Sequence, residues 1–263
     1  MEIIIGLLII AVGAFCQSSC YVPINKIKNW SWESYWIVQG VFAWLVFPFL
    51  GALLAVPDGH SLFEIYAAHP ADTLWAMFFG VLWGVGGLTF GLSMRYLGVA
   101  LGQSISLGTC AGLGTILTPI FTGHMEELTM PVIVGVIVTL LGIGIIGYAG
   151  NMKSASLSEE EKKKAVKDFN FTKGIFVALL AGFMSACFSI GLGFGQSLCF
   201  PESAEVYKTL PATLMVTAGG FLTNMVYCFY QNAKNKTWGD YGKTSLYVNN
   251  ILFCALAGVL WYS

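Results

Sequence analysis

Four carboxamides lie deep in stretches of chain that carry no charge: Gln17, Gln39, Gln103 and Asn224. Their nearest charged reference points are Lys26, Glu33, Arg95 and Lys234 respectively. At ~1.5 Å of rise per helical residue, this spacing brings all four roughly 9–15 Å below one common boundary. An amide donates and accepts hydrogen bonds at once, so four of them at one depth suit a neutral, polyhydroxylated ligand. The alternative is that each bonds a neighbouring helix and merely ties the bundle together. Trp44 and Trp83 fall near the centres of their segments, and Trp83 is ringed by Gly80, Gly84 and Gly87. An indole with that much room can present its face to the apolar patch of a sugar ring, or it can pack into a groove. Tyr21 adds a polar aromatic contact. Trp30, Trp32, Trp36 and Trp75 are assigned to a membrane–water interface, where amphipathic rings concentrate. Lys26, Lys28 and Arg95 are read as interfacial anchors.

The same residues exclude other chemistry. The charge-free stretches contain no carboxylate, and His60, His69 and His124 all fall in connecting segments. There is no H-E-x-x-H and no G-x-S-x-G, so an intramembrane hydrolase lacks its nucleophile and base. The chain is therefore not expected to be an enzyme, to hold a metal or to need a cofactor. Its seven cysteines form no C-x-x-C pair and are read as small packing residues. The G-x-G strings at Gly112 and Gly191 lie inside apolar segments with no preceding strand, so they are not nucleotide loops. A net charge of −1 gives no reason to expect a nucleic-acid partner.

Apolar helices must position these groups. Charged residues are only 10% of the chain, far below the ~25% of soluble proteins. Segments 3–22, 34–57, 73–94, 96–123, 128–152, 174–201 and 209–233 lack Asp, Glu, Lys and Arg, and 244–263 begins an eighth. Each meets or approaches the ~20 residues needed to span hydrocarbon. The fold expected is an all-α polytopic membrane bundle of about eight transmembrane helices, with the lipid bilayer as its solvent. Lysine and arginine fall in alternate connections: Lys26 and Lys28, then Arg95, then Lys153 to Lys173, then Lys234 to Lys243. The intervening connections hold only Lys208 against seven carboxylates. The positive-inside rule then puts the lysine-rich connections in the cytoplasm and the N-terminus outside. The first helix lacks a basic start and an A-x-A site, so it is read as retained rather than cleaved. The three glycosylation sequons fall on the cytoplasmic side of this topology and are read as chance.

Residues 1–150 are expected to form a first five-helix repeat, 151–173 a charged cytoplasmic linker, and 174–263 an incomplete, inverted second repeat of three helices. The linker carries a capping box at Ser158 and Glu161 and i,i+4 ion pairs at Glu159–Lys163 and Glu160–Lys164, which predict a short solvated helix. Gly98, Gly102, Ser106, Cys110 and Gly114 make an i,i+4 row of small residues. With a turn at Arg95–Tyr96, this row predicts a tight hairpin of the third and fourth helices. Pro48 and Pro119 are expected to kink the second and fourth helices.

Three strings, in this order and at this spacing, resemble the L-rhamnose–proton symporter family of the drug/metabolite transporter superfamily. They are Lys26-Ile-Lys-Asn-Trp-Ser-Trp-Glu33, Gly80-Val-Leu-Trp-Gly-Val-Gly86 and Gly91-Leu-Ser-Met-Arg-Tyr-Leu-Gly98, and Gly258-Val-Leu-Trp-Tyr262 continues the likeness to the end of the chain. The resemblance implies a multi-pass importer of the bacterial inner membrane that moves L-rhamnose, or a similar sugar, together with protons by alternating access. It implies a ten-helix bundle, so the chain is expected to be C-terminally truncated. The proton-carrying group is left open, with Glu33 at the membrane boundary as a candidate. The alternatives are another cargo of the same superfamily and an inactive or non-transporting membrane protein.

Overall fold

The computed structural model describes residues 2–156, 169–242 and 244–263. Among them the chain is all-helical, with eight helices long and apolar enough to cross a membrane. We label these α1 (Glu2–Ser19), α2 (Trp32–Leu53), α3 (Pro70–Leu97), α4 (Val99–Thr122), α5 (Met130–Ser156), α6 (Phe171–Phe194), α7 (Leu210–Asn235) and α8 (Tyr247–Tyr262). Short helical turns sit at Tyr21–Ile24, Leu62–Ala68 and Thr237–Gly242.

Successive helices reverse direction, and contacts between distant connections show it. At the lysine-bearing end, Asn235 donates to Glu33 (2.9 Å), Asn250 bonds the Lys28 backbone, and the Lys173 ammonium lies 4.6 Å from the Tyr96 ring centre. At the opposite, acidic end, Ser197 donates to Asp72 (2.6 Å) and Ser203 to the Ala55 carbonyl. The capping box and ion pairs expected at residues 158–164 lie outside the described residues.

Two helix starts differ from the charge-free segments. α2 begins at Trp32 and α3 at Pro70, so Glu33 and Asp72 each occupy a first helical turn. A carboxylate there meets unsatisfied backbone N–H groups and the positive end of the helix dipole, which offsets part of its desolvation.

The hairpin of α3 and α4 is a correction in two respects. Arg95 and Tyr96 belong to the last turn of α3, and the chain reverses at Gly98, whose φ of +83° favours glycine. The pair is also not packed along its length. Gly102 abuts Ser93 and Met94 beside the turn, and buried Ser93 and Ser106 share a hydrogen bond (3.2 Å). Further along, α6 inserts between them: Gly182 faces Thr109, and Gly114 faces Ser189. The small-residue row therefore serves first α3 and then α6.

α3 is the hub. Its Gly80 and Gly84 lie against Val216, Gly220 and Thr223 of α7, while Gly86 lies against Ser185 of α6. In lipid the apolar surface of a helix gains little by burial, so close backbone approach and dispersion supply the association instead. α5 packs on α4, and α1 on α8, each leaving most of its surface outward.

Candidate functional site

α2 carries the centre of the site because it is not a uniform helix. Residues Phe42–Val46 wind as a π-helical turn, with the Phe47 N–H bonded to the Phe42 carbonyl. Pro48 lies just beyond and has no N–H to offer the carbonyl four residues back, that of Trp44. Widening the turn relieves the ring clash, and such turns concentrate at functional positions. Trp44, in the middle of the turn, is 4% exposed, and its indole lies back over Gly40, where a Cβ would stand 2.8 Å from the ring.

Three indoles from three helices meet here. Trp44 (α2) is edge-on to Trp83 (α3) at 6.2 Å and 84°, and edge-on to Trp261 (α8) at 5.7 Å and 90°; Trp83 and Trp261 are 5.8 Å apart. Phe188 of α6 closes on Trp83 at 5.1 Å. A perpendicular arrangement sets positive ring edges against negative faces, worth about 0.5–1.5 kcal/mol per pair beyond area burial. The column continues toward the lysine-bearing end, through Trp36 (5.8 Å from Trp44) to Trp32, which stacks on Trp36 at 5.5 Å and 21°. Trp32 and Trp36, assigned from the sequence to the interface, thus extend the interior cluster.

Among the described residues, two buried polar atoms of α2 lack partners. Gln39 is 2% exposed and its Oε1 accepts no hydrogen bond; Trp44 Nε1 is buried and donates none. Trp30, Thr118 and Tyr262 carry similar orphans, but Gln39 and Trp44 pair an idle acceptor with an idle donor in one helix. Leaving such atoms dry costs about 1–3 kcal/mol each. Asn224, by contrast, is fully engaged. Its Oδ1 accepts from Trp36 Nε1 (3.0 Å) and its Nδ2 donates to the Gly220 carbonyl (2.9 Å), so it holds Trp36 in place.

The four amides are not brought together. Gln39 and Asn224 are buried, Asn224 against Trp36, whereas Gln17 and Gln103 are exposed, on outward faces of α1 and α4. Gln103 follows Gly102, which faces α3, and so points away from the packed side. Tyr21 is 56% exposed and lines a cleft with Trp32 and Trp36.

Glu33 sits in a polar network that the sequence reading largely missed. It is 5% exposed and accepts from Asn235 Nδ2 and Thr237 Oγ1 (2.9 and 2.8 Å). Thr237 also reaches Asn232 Oδ1, as does Ser34, and Ser34 in turn reaches Asp240 Oδ2 (3.0 Å). Asp240, 8% exposed, further accepts from Ser31 N–H and Ser31 Oγ, both at 2.7 Å. Two buried carboxylates thus share one cluster of hydroxyls and an amide, in which the Thr237 and Ser34 protons each serve one acceptor at a time. Burial raises the Tyr241 phenol pKa beside them, and its hydroxyl donates to the Ser34 carbonyl. The available signal was the polar run Asn232 to Asp240, read only as charge-bearing connection. No group of three metal-ligating side chains occurs among the described residues.

The arrangement offers an aromatic-walled interior with unspent polar capacity, and a buried acidic network at one mouth. Comparison with known proteins agrees with such a transporter. Residues 1–263 match the family model described as L-rhamnose-proton symport protein. Proteins named L-rhamnose-proton symporter from Yersinia pestis bv. Antiqua (strain Antiqua) and Yersinia pseudotuberculosis serotype O:1b (strain IP 31758) are each 33% identical over 274 residues; these cover 99% of this chain and 78% and 77% of the relatives. No solved structure matches. With its whole described length matched by that family model, the chain belongs to the L-rhamnose-proton symport protein family.

Proposed function

We propose that this chain carries L-rhamnose inward together with protons across a bacterial inner membrane, with its lysine-bearing end in the cytoplasm and its N-terminus outside. It is a transporter rather than an enzyme on this reading. The observation that carries the proposal is the column of indoles around Trp44, with Trp44 Nε1 and, in the same helix, Gln39 Oε1 buried without partners among the described residues. A sugar hydroxyl donates and accepts, so it can satisfy both atoms, while ring C–H groups and the 6-methyl of a deoxy-hexose lie on indole faces. The names of the 33%-identical relatives support the cargo and the coupling ion. Of the seven residues singled out in the sequence, Gln39, Trp44, Trp83 and Asn224 form this site, Tyr21 stands at its approach, and Gln17 and Gln103 are left without a role here. Glu33 is the proton-carrying candidate, because its carboxylate is buried at the lysine-bearing end and held there by Asn235 and Thr237.

The test is uptake of labelled L-rhamnose by cells or vesicles under an imposed proton gradient. Trp83→Ala and Gln39→Ala are expected to cut uptake by about five- to tenfold, since one ring contact or one hydrogen bond is worth about 1–1.5 kcal/mol. Collapse of the gradient is expected to stop accumulation. Unchanged uptake in both variants rejects the site, and uptake indifferent to the gradient rejects the coupling.

A further inference from the structure

Between the ends of α2, α3 and α7 lies a cleft of about 310 Å³ whose residues are all uncharged. This volume is at the low end of the ~300–1,000 Å³ usual for small-molecule sites. Its floor is Gly87 and Gly91, one turn apart on α3. A Cβ at either position would meet nothing within 4 Å. Every other α3 glycine that faces a helix has a neighbour waiting at closer range, as Gly80, Gly84 and Gly86 do. Among the described residues, none fills the space above Gly87 and Gly91. One wall is the stacked pair Trp32 and Trp36, and Tyr227 stands edge-on to Trp32 at 6.3 Å. The Tyr227 oxygen accepts from Gln231 Nε2 (2.8 Å), which leaves its own O–H to donate.

We infer that this cleft is a second sugar-binding position, an antechamber at the lysine-bearing mouth. Its occupant is a neutral hexose-sized ring, one face on the bare backbone of Gly87 and Gly91 and its edge against the indoles. Three features select that chemistry. The lining has no charge to pair with an ionic ligand. Glycines admit a flat ring where any side chain would hold it off. Aromatic faces combined with a phenol donor match the amphipathic disc of a pyranose. Trp36 is common to the cleft and to the interior column, since it contacts Trp44 and is anchored by Asn224. The cleft and the interior column therefore share one indole. This inference rests on the sugar reading above for the ligand class, but not on the identity of the sugar.

The experiment is a titration of intrinsic tryptophan fluorescence with L-rhamnose, and in parallel with other neutral hexoses. It uses the full chain in nanodiscs prepared with and without dibrominated lipid. Gly87→Val and Gly91→Val are compared with Gly144→Val, whose Cβ on the outward face of α5 also meets nothing within 4 Å. Unchanged thermal melting establishes that all three variants fold. Weakening of sugar affinity by tenfold or more in the first two variants, with wild-type affinity in the third, supports the antechamber. Wild-type affinity in all three overturns it. If the wild-type chain ignores rhamnose but binds another neutral sugar, and the two valines abolish that binding, the cleft stands and the rhamnose reading falls. Bromolipid quenching that the valines alter while saturating sugar does not compete assigns the cleft to an acyl chain and overturns the proposal. A wild-type chain that binds no sugar overturns both readings.

Discussion

Gly86 and Gly87 are neighbours in α3 with opposite surroundings, and alanine substitution at each isolates what close packing contributes. A Cβ on Gly86 would lie 2.6 Å from the Ser185 backbone nitrogen and 2.9 Å from the Met184 carbonyl carbon, both in α6. Ordinary contact begins at 3.4 Å, so the first is short by about 0.8 Å. A backbone atom inside a helix cannot swing aside as a side-chain tip does, so α3 and α6 must separate by a similar distance. Dispersion falls steeply over such a gap, forfeiting about a quarter to a half of each well it touches. Overpacking of this kind costs about 1–3 kcal/mol, and the backbone identity of the obstacle argues for the upper end. Alanine returns about 1 kcal/mol of helix propensity. Gly86→Ala is therefore expected to destabilise by about 2 kcal/mol net, a near-thirtyfold shift in the folded-to-unfolded ratio. Gly87→Ala meets no atom and keeps only the propensity gain, so it should be neutral or up to about 1 kcal/mol stabilising. Equilibrium unfolding in mixed micelles titrated with SDS reads both. Equal stabilities for the two variants would refute the assignment of α6 to the Gly86 face of α3.

Gln39→Leu removes an idle buried acceptor and should stabilise the empty protein by about 1 kcal/mol while cutting rhamnose uptake about as far as Gln39→Ala does; a variant that loses stability shows Gln39 to be bonded after all. Asn250 is fully buried and exchanges two hydrogen bonds with the Lys28 backbone, at 2.9 and 3.0 Å. Asn250→Ala should cost about 2–3 kcal/mol in the same micelle assay, because both Lys28 groups lose their partner. Tyr241 has its phenol pKa raised above 10.0 by burial. Its folded value thus exceeds the unfolded one, so its contribution is whole below pH ~10 and lost as pH rises through the folded value. Tyr241→Phe should therefore flatten part of the alkaline loss of stability; an unchanged alkaline limb contradicts the burial of that hydroxyl.

The bundle was legible because its signal is redundant. Charge-free length and the alternation of lysines each give the helix count, and both agree with the contacts of Lys28, Glu33 and Lys173. The boundaries at Glu33 and Asp72 were not, since a carboxylate in a first turn looks like a loop charge until its hydrogen bonds are seen. The site was half legible. Counting residues from a boundary fixes how deep a side chain lies, and all four amides were placed by depth. It does not fix which way the side chain faces, and that angle separates Gln39 and Asn224 from Gln17 and Gln103. In α2 the angle was unreadable for a further reason: the turn at Phe42–Val46 breaks the 3.6-residue period between Trp36 and Trp44. Asp240 and Asn232 escaped because partners some 200 residues distant, Ser31 and Ser34, give them their meaning.

That wide turn also keeps the two parts of α2 in phase with different neighbours. A single added residue rotates everything downstream by about 100° in a helix of ordinary winding. Before the turn, α2 presents Gln39 and Gly40 inward; after it, Ala52 meets Leu62, Phe200 and Leu214 at the acidic end. Shortening the wide turn by one residue would restore regular winding and leave Ala52 on that cluster, whereas removing a residue from the regular winding after it would swing Ala52 off, although no side chain there had been altered. The packing of Ala52 at the acidic end is thus set by a spacer earlier in the same helix.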